Sequence, residues 1–311
     1  MEVPPSTLTF LNFSKLEILF ETSIELFNSI CVLICKSQSP ICPSDSIFTV
    51  QIHPFMSYGV CHLTLIPVRK EPQESSEMVT QLTFGEHYTI EEETAKWLKI
   101  SSGVDGYSGY IDKKMLFEIT HADFDEFSIN EFDVVLNHTS SLTRDEVQTR
   151  LAFGSFVPYL ASGKSRLRSN QYSFDGKAGV LNPDQIQVLS RTFLETPYLW
   201  GGKSLFGIDC SGFTQLIFRA VGIRLLRDAS QQVEQGEVVN LLDESITGDL
   251  AFFDNAEGRI THVGIVLVDL DRTEIIHASG KVRIDTLDHH GIYNSDEKGY
   301  SHNLRTIRRM F

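Results

Sequence analysis

The hydrophobic period of the chain changes at "NPDQ", residues 182 to 185. Before this point, from about residue 58, short alternating runs such as "CHLTLIPV" and "GYSGYID" are separated by turns that contain glycine. Alternation of this kind predicts antiparallel strands. After it, apolar residues recur at helical spacing in "QIQVLSRTFLETPYLW", and strand-like runs follow later. We therefore predict an α+β domain, with helices first and an antiparallel sheet after them, preceded by β-structure.

The spacing of these segments predicts two small β-barrels, residues 56–122 and 123–182, and an α+β domain, residues 183–311. Residues 1–55 differ from the rest, because they contain no Gly, Trp, Tyr or Arg but three of the five cysteines. We interpret this segment as poorly ordered, or as sequence translated upstream of a start at Met56. An unusual amphipathic helical extension is the alternative.

The charge of the chain excludes some classes of partner. A formal net charge of −14 argues against binding to nucleic acid or to an anionic membrane, since both need clustered Lys and Arg. The apolar segment 16–35 contains Glu17, Glu21 and Glu25, which are costly in hydrocarbon. It also lacks the basic flank and cleavage site of a signal peptide. We expect neither a membrane span nor an export signal, and a small partner that carries a cationic group.

One cysteine stands where a nucleophile is expected. In "PYLWGGKSLFGIDCSGFTQLIFRAVG", residues 197–222, Asp209 can cap a helix that begins at Cys210. The unpaired backbone N–H groups and the dipole of the first helical turn favour a thiolate there. The preceding glycines let the loop approach a ligand closely, and the small residues Ser211 and Gly212 leave the thiol accessible.

Two histidines can complete the site. A cysteine nucleophile for acyl transfer needs a base within hydrogen-bond reach and a group that orients the base. His262 opens the strand-like run "HVGIVLV" and His277 ends "EIIHAS", so adjacent antiparallel strands would place both side chains on one face. We predict that His262 is the general base and later the general acid, and that His277 fixes its tautomer.

Two other interpretations of these residues stand beside this one. A buried cysteine is commonly a small apolar core residue, and histidine on a strand is commonly structural. Zn²⁺ could be bound by Cys210, His262 and His277, but neither a second cysteine nor a carboxylate is well placed to complete the site. We predict no metal and no organic cofactor.

Five motifs in this order, "PYLWGG", "GIDCSGF", "GDLAFF", "THVGIVL" and "IIHASG", resemble the NlpC/P60 family of papain-like cysteine peptidases. The resemblance covers roughly residues 183–311. It implies a catalytic Cys-His-His set at Cys210, His262 and His277. It also implies that Tyr198, with the backbone N–H of Cys210, supports the oxyanion.

The two alternating blocks resemble the tandem bacterial SH3 domains of one branch of this family, the γ-D-glutamyl-L-diamino acid endopeptidases known as dipeptidyl-peptidase VI. That resemblance implies two SH3-like barrels in front of the catalytic domain. The implied substrate is a murein tripeptide or tetrapeptide with a free N-terminal L-Ala, cut between γ-D-Glu and diaminopimelate or lysine. The implied role is the cytoplasmic recycling of cell-wall peptides.

A closed pocket for an ammonium group needs buried acceptors. Asp209 is one candidate acceptor, although it could be a plain N-cap. The resemblance matches Glu77 and Tyr110 to the acidic residue and the tyrosine with which the first SH3 domain closes the amine pocket. Glu71 and Tyr107 are close competitors for these roles.

Three further residues match the family's Ala and D-Glu pockets: Trp200, Ser211 and Ser230. Ser230 can bind the free α-carboxylate of D-Glu, or simply cap the helix that follows it.

Two other functions of the chain are considered. A secreted hydrolase of intact cell wall would use the SH3 domains as wall-binding modules and would need an export signal. A catalytically silent peptide-binding protein would leave Cys210 unreactive towards iodoacetamide near neutral pH.

Overall fold

The computed structural model describes residues 57–130, 132–269 and 272–311, together with the backbone of three short strands nearer the N-terminus. The chain divides into two units, Met1–Met56 and Ser57–Phe311. In the first unit three strands pair antiparallel in the order β1-β2-β3: β1 (Ile18–Phe20), β2 (Ile30–Cys35) and β3 (Ile47–Gln51). Apart from the backbone of these strands, residues 1–55 lie outside the described residues, and their interpretation as poorly ordered or upstream sequence stays a prediction. No helix in the described part of the chain has the length and apolar character needed to span a bilayer.

The second unit begins with one antiparallel sheet of seven strands, in the order β10-β4-β7-β8-β9-β5-β6. Its strands are β4 (Ser57–Val60), β5 (Leu65–Arg69), β6 (Met78–Thr83), β7 (His87–Glu93), β8 (Trp97–Ser102), β9 (Ser108–Asp112) and β10 (Glu118–Ile119). The alternation in the sequence appears as alternating burial: Leu98 and Ile100 on β8 lie in the core, whereas Lys99 between them is partly exposed. This sheet therefore has its own hydrophobic core.

A helix, α1 (His121–Ile129), leads from this sheet, which we call the first β-region (57–119), into a second β-region (133–179). Thr120 and Asp123 cap it reciprocally, since each backbone N–H donates to the side chain of the other residue. The strands that follow are β11 (Asp133–Val135), β12 (Ser141–Arg144), β13 (Val147–Arg150), β14 (Phe156–Val157), β15 (Lys164–Leu167), β16 (Asn170–Asp175) and β17 (Ala178–Gly179). They form two small antiparallel sheets, β14-β11-β17 and β13-β12-β16-β15.

The C-terminal part begins with three helices and a short hairpin: α2 (Ile186–Arg191), β18 (Lys203–Ser204), β19 (Gly207–Ile208), α3 (Cys210–Ala220) and α4 (Ala229–Gln232). Seven strands follow: β20 (Glu237–Val239), β21 (Leu250–Asp254), β22 (Ile260–Asp269), β23 (Arg272–Ser279), β24 (Lys281–Asp288), β25 (Gly291–Asn294) and β26 (Gly299–Arg309). The predicted order of helices before an antiparallel sheet is confirmed. The sheet runs β20-β26-β21-β22-β23-β24-β25, and pairing of β25 with β26 closes six of these strands into a barrel.

The helical spacing in "QIQVLSRTFLETPYLW" predicts a helix that ends before Pro197, but the helix observed is shorter, because α2 ends at Arg191. Glu195 has φ of 70°, and its backbone N–H donates to the carbonyl of Val282 on β24. The backbone at Glu195 therefore hydrogen-bonds to a strand of the barrel instead of continuing the helix that the hydrophobic periodicity predicted.

Helix α3 is buried along its whole length and packs against β22 and β23. Its apolar residues, including Phe213, Leu216 and Ile217, share one core with Val263 and Ile265 of β22. The amphipathic pattern therefore fixes the first turn of α3 beside the strand that carries His262.

Candidate active site

Cys210 is the first residue of α3, as predicted, and Asp209 is its N-cap. The Asp209 side chain accepts a hydrogen bond from the Gly212 backbone N–H at 2.7 Å and from the Gly201 N–H at 2.8 Å. Gly201 has φ of +76°, and a Cβ there would lie 2.3 Å from the Met78 carbonyl oxygen on β6. Only glycine fits this close approach, which holds the loop before Cys210 against the first β-region.

The carboxylate of Asp209 accepts hydrogen bonds from both backbone and side-chain groups of the protein. Arg227, also buried, donates to Oδ1 at 3.0 Å and to Oδ2 at 2.5 Å, in addition to the two backbone donors. These four bonds hold the carboxylate in place beside the cleft, and its role as an acceptor for a substrate ammonium stays a prediction. The Ser211 hydroxyl is engaged in the same network, since Arg227 donates to it at 2.9 Å.

The two predicted histidines contact each other on adjacent strands. Gly264 of β22 pairs with His277 of β23, which puts His262 and His277 on one face of the barrel. Both side chains are buried, and Nε2 of His262 lies 2.8 Å from Nδ1 of His277. These nitrogens face each other in a hydrogen bond, so they are not arranged as two ligands of a zinc ion with Cys210.

Two residues beside these histidines were missed from the sequence. Oδ2 of Asp285, on β24, lies 3.0 Å from Nε2 of His277. The ring of His302, on β26, stacks on His262 with centroids 4.2 Å apart and an interplanar angle of 26°. Asp285 could have been identified as a neighbour of His277 from the sequence, because it stands eight residues after His277 across a turn at Gly280.

The resting site holds a thiol and a neutral imidazole. Burial, reinforced by the nearby Asp209 carboxylate, raises the pKa of Cys210 to about 12. Burial also lowers the pKa of His262 well below its usual value, and the neighbouring His277 and His302 act in the same direction. The expectation of a thiolate at the helix N-terminus is therefore wrong for the resting state, since desolvation outweighs the helix end. A neutral imidazole is the form that a general base requires.

The thiol opens into a cleft between α3, α4 and the first β-region. Seven of the predicted site residues line this cleft: Glu77, Tyr198, Trp200, Asp209, Cys210, Ser211 and Ser230. Burial and the proximity of Cys210 raise the pKa of Tyr198. Its hydroxyl therefore stays protonated and can donate a hydrogen bond.

Tyr110 does not line the cleft, and Tyr107 takes the place predicted for it. Tyr110 lies on β9, paired with Lys99 and Arg69. Tyr107 precedes that strand, and three residues along an extended chain reverse the face to which a side chain points. The Tyr107 hydroxyl donates to Oδ2 of Asp228 at 3.1 Å.

Asp228 was also missed, although it stands directly before "ASQQ" at the start of α4. Asp228, rather than Ser230, is the N-cap of α4, so Ser230 lies within the first turn and exposes its side chain to the cleft. Two other residues that line the cleft contact each other, since Nε1 of Trp200 donates to Oε1 of Glu77 at 2.7 Å. Besides Asp209 and Tyr198, the cleft that contains Cys210 is thus lined by the carboxylates of Glu77 and Asp228 and by the phenol of Tyr107.

Two family models match the chain: the NlpC/P60 family over residues 195–299, and the bacterial dipeptidyl-peptidase Sh3 domain over residues 68–116. The chain is 30% identical over 210 residues to a γ-D-glutamyl-L-lysine dipeptidyl-peptidase of Bacillus subtilis, covering 60% of this chain and 68% of that protein. It is 26% identical over 223 residues to the protein of the same name from Bacillus cereus, covering 63% and 66%. The chain therefore spans about two thirds of the length of these relatives.

Solved structures show the same fold at lower identity. The crystal structure of an NlpC/P60 family protein from Bacillus cereus superposes with a TM-score of 0.67 at 21% identity, covering 82% of this chain and 99% of that one. An NlpC/P60 endopeptidase from Photobacterium damselae gives a TM-score of 0.59 at 16% identity, covering 80% and 70%. At these identities, both similarities show only that the fold is shared.

Proposed function

The chain belongs to the NlpC/P60 family, and from that premise we propose that it is a cysteine endopeptidase of murein peptides. The proposed reaction is hydrolysis of the bond between γ-D-Glu and diaminopimelate or lysine in tripeptides or tetrapeptides with a free N-terminal L-Ala. The names of the curated relatives support this choice of substrate class.

The observation that carries the substrate proposal is the Tyr107–Asp228 contact inside the cleft. Burial raises the pKa of Asp228, even though Arg227 and the Tyr107 hydroxyl act in the opposite direction. A carboxylate that is partly desolvated in this way gains from a cationic partner. Together with Glu77, which also lines the cleft, it provides the acceptors that the ammonium group of L-Ala requires.

The proposed chemistry uses the residues around Cys210 in turn. His262 takes the thiol proton as sulfur attacks the γ-glutamyl carbonyl carbon. The Cys210 backbone N–H and the Tyr198 hydroxyl donate to the oxyanion. His262 then protonates the leaving amine of the diamino acid, and water releases the dipeptide from sulfur.

Other cleft residues bind the non-reacting parts of the dipeptide in this proposal. Ser230, exposed in the first turn of α4, donates to the free α-carboxylate of D-Glu. Trp200 covers the alanine, held in place by its bond to Glu77. Such a pocket admits short fragments that have already been released from the wall, so we propose a role in the recycling of cell-wall peptides in the cytoplasm.

Acetylation of the substrate amine tests this function. We expect hydrolysis of L-Ala-γ-D-Glu-meso-diaminopimelate and a fall of about 10²-fold or more in kcat/KM for the N-acetylated peptide, because the charge pairing of the ammonium group with the cleft carboxylates is lost. Mass spectrometry of released diaminopimelate measures both rates. Equal cleavage of the two peptides would remove the amine pocket and favour a hydrolase of intact wall.

The hydroxyl of Tyr107 is a sharper test of the same pocket. We expect Tyr107→Phe to raise KM for the free tripeptide about tenfold with little change in kcat, since a hydrogen bond to a charged group is lost. Tyr110→Phe is the matched control, because Tyr110 does not line the cleft. An unchanged KM for Tyr107→Phe, or an equal rise for Tyr110→Phe, would contradict the assignment.

A further inference from the structure

We propose that Asp285 is a positioning residue: acting through His277, it fixes which ring nitrogen of His262 is free to take the Cys210 proton. This inference rests on the proposed roles of Cys210 and His262. It concerns the base rather than the substrate, so it can be tested without a peptide.

Asp285 reaches His262 through a line of buried groups carried by three neighbouring strands. Asp285 on β24 pairs with Ile275 on β23, two residues from His277 and on the same face. Its Oδ2 lies 3.0 Å from Nε2 of His277, and Nδ1 of His277 lies 2.8 Å from Nε2 of His262. Only 3% of the Asp285 side chain is exposed to solvent.

Arg283 keeps Asp285 ionised in this buried position. Its guanidinium lies 2.8 Å from each carboxylate oxygen, with NH2 donating to Oδ1 and Nε facing Oδ2. Burial alone raises the pKa of Asp285, but its contacts with His277 and Arg283 outweigh burial and bring the pKa below its usual value. Asp285 is therefore a carboxylate at neutral pH.

An ionised carboxylate accepts hydrogen bonds and donates none. Nε2 of His277 must then carry the proton, and burial keeps the ring neutral by lowering its pKa. In a neutral imidazole the other nitrogen, Nδ1, is an acceptor, so Nε2 of His262 must donate to it. Nδ1 of His262 is left unprotonated, with a lone pair for the thiol proton.

The other groups that face His262 do not set its tautomer. His302 on β26 stacks on the face of the ring, and Phe253 on β21 contacts it with centroids 5.8 Å apart. A stacked ring does not hydrogen-bond in the plane of the imidazole, where the nitrogen lone pair and N–H lie. The hydrogen-bonded chain from His262 through His277 to Asp285 therefore determines the tautomer of His262.

Asp285→Asn tests the inference, because an amide N–H can donate to His277 and invert both tautomers. The same inversion in a Ser-His-Asp triad lowers kcat about 10⁴-fold. The readout is the rate at which iodoacetamide alkylates Cys210 as a function of pH, followed by mass spectrometry of the Cys210 peptide. At pH 7 we expect Asp285→Asn to react about 10²-fold more slowly than wild type, near the lower end of what a positioned base contributes.

Two further variants serve as references for the rate of Cys210 alkylation. The pH profile of Asp285→Asn should match that of His262→Ala, in which the base is absent. Asp288→Asn should follow wild type, because Asp288 lies on the same strand but accepts from Tyr300 and the 290–291 backbone instead. A wild-type profile for Asp285→Asn would overturn the proposal.

A second measurement needs no variant and therefore does not depend on folding. Nitrogen-15 NMR of the histidine rings in the wild-type protein should show protonated Nε2 and unprotonated Nδ1 on both His262 and His277. A proton on Nδ1 of His262 would overturn the inference. Neither experiment uses a murein peptide, so failure to cleave the proposed substrate would leave this result unaffected.

Discussion

Replacing Cys210 with alanine is expected to abolish release of diaminopimelate from L-Ala-γ-D-Glu-meso-diaminopimelate. Removal of the nucleophile from a comparable catalytic set lowers kcat by about 10⁶-fold. The physical reason is that His262 then has no thiol from which to take a proton, and no acyl intermediate can form. Liquid chromatography with mass spectrometry of free diaminopimelate over long incubations measures the residual rate.

Cys61→Ala is the matched control for this experiment. Cys61 is also a free, fully buried thiol, but it lies in the core of the first β-region. We expect this variant to retain the wild-type kcat. Turnover by Cys210→Ala within tenfold of wild type would exclude a thiol nucleophile and require a different reaction type.

The parts of the site that the sequence predicted are those set by short-range geometry. The Asp209 cap spans three residues to Gly212, and hydrogen bonds over such a distance follow from residue type and order. The meeting of His262 and His277 follows from the period of two along adjacent antiparallel strands. The six-stranded closure of the barrel was not predicted, because it depends on the pairing of β25 with β26.

The parts that sequence reasoning missed depend on distant partners. The ion pair between Asp209 and Arg227 was missed because Arg227 stands eighteen residues further along the sequence. The thiol was predicted to be ionised because the helix end is local, whereas the desolvation that raises its pKa comes from the packed fold. The choice between Tyr107 and Tyr110 required the exact start of β9, which alternation does not give.

A buried charge cluster joins the first β-region to the C-terminal part of the unit. Oε1 of Glu86 accepts from Lys203 Nζ at 2.9 Å and from Arg219 NH2 at 2.5 Å, while Oε2 accepts from the Thr83 N–H. Arg219 also donates to the Gly154 carbonyl of the second β-region. The three charged side chains are 1%, 2% and 6% exposed, so the cluster is shielded from water.

Glu86 is ionised through most of the pH range. Burial alone would raise its pKa, but Lys203 and Arg219 reverse that effect and lower the pKa from 4.5 to about 2. Because the pKa of Glu86 is lower in the folded state than in the unfolded state, the charge cluster contributes its full stabilisation at pH values above the ordinary pKa of glutamate. It is lost as the pH falls through about 2.

Replacing Glu86 with alanine is expected to lower the free energy of unfolding by about 3–5 kcal/mol at pH 7, since it leaves two buried cations without their partner. Urea denaturation followed by circular dichroism measures the change. Glu92→Ala is the matched control, because Glu92 pairs with Lys99 on the exposed surface, and its unfolding midpoint should equal that of wild type. A wild-type midpoint for Glu86→Ala would mean that water reaches Lys203 and Arg219, and that apolar packing rather than the charge cluster holds the β-regions against α3.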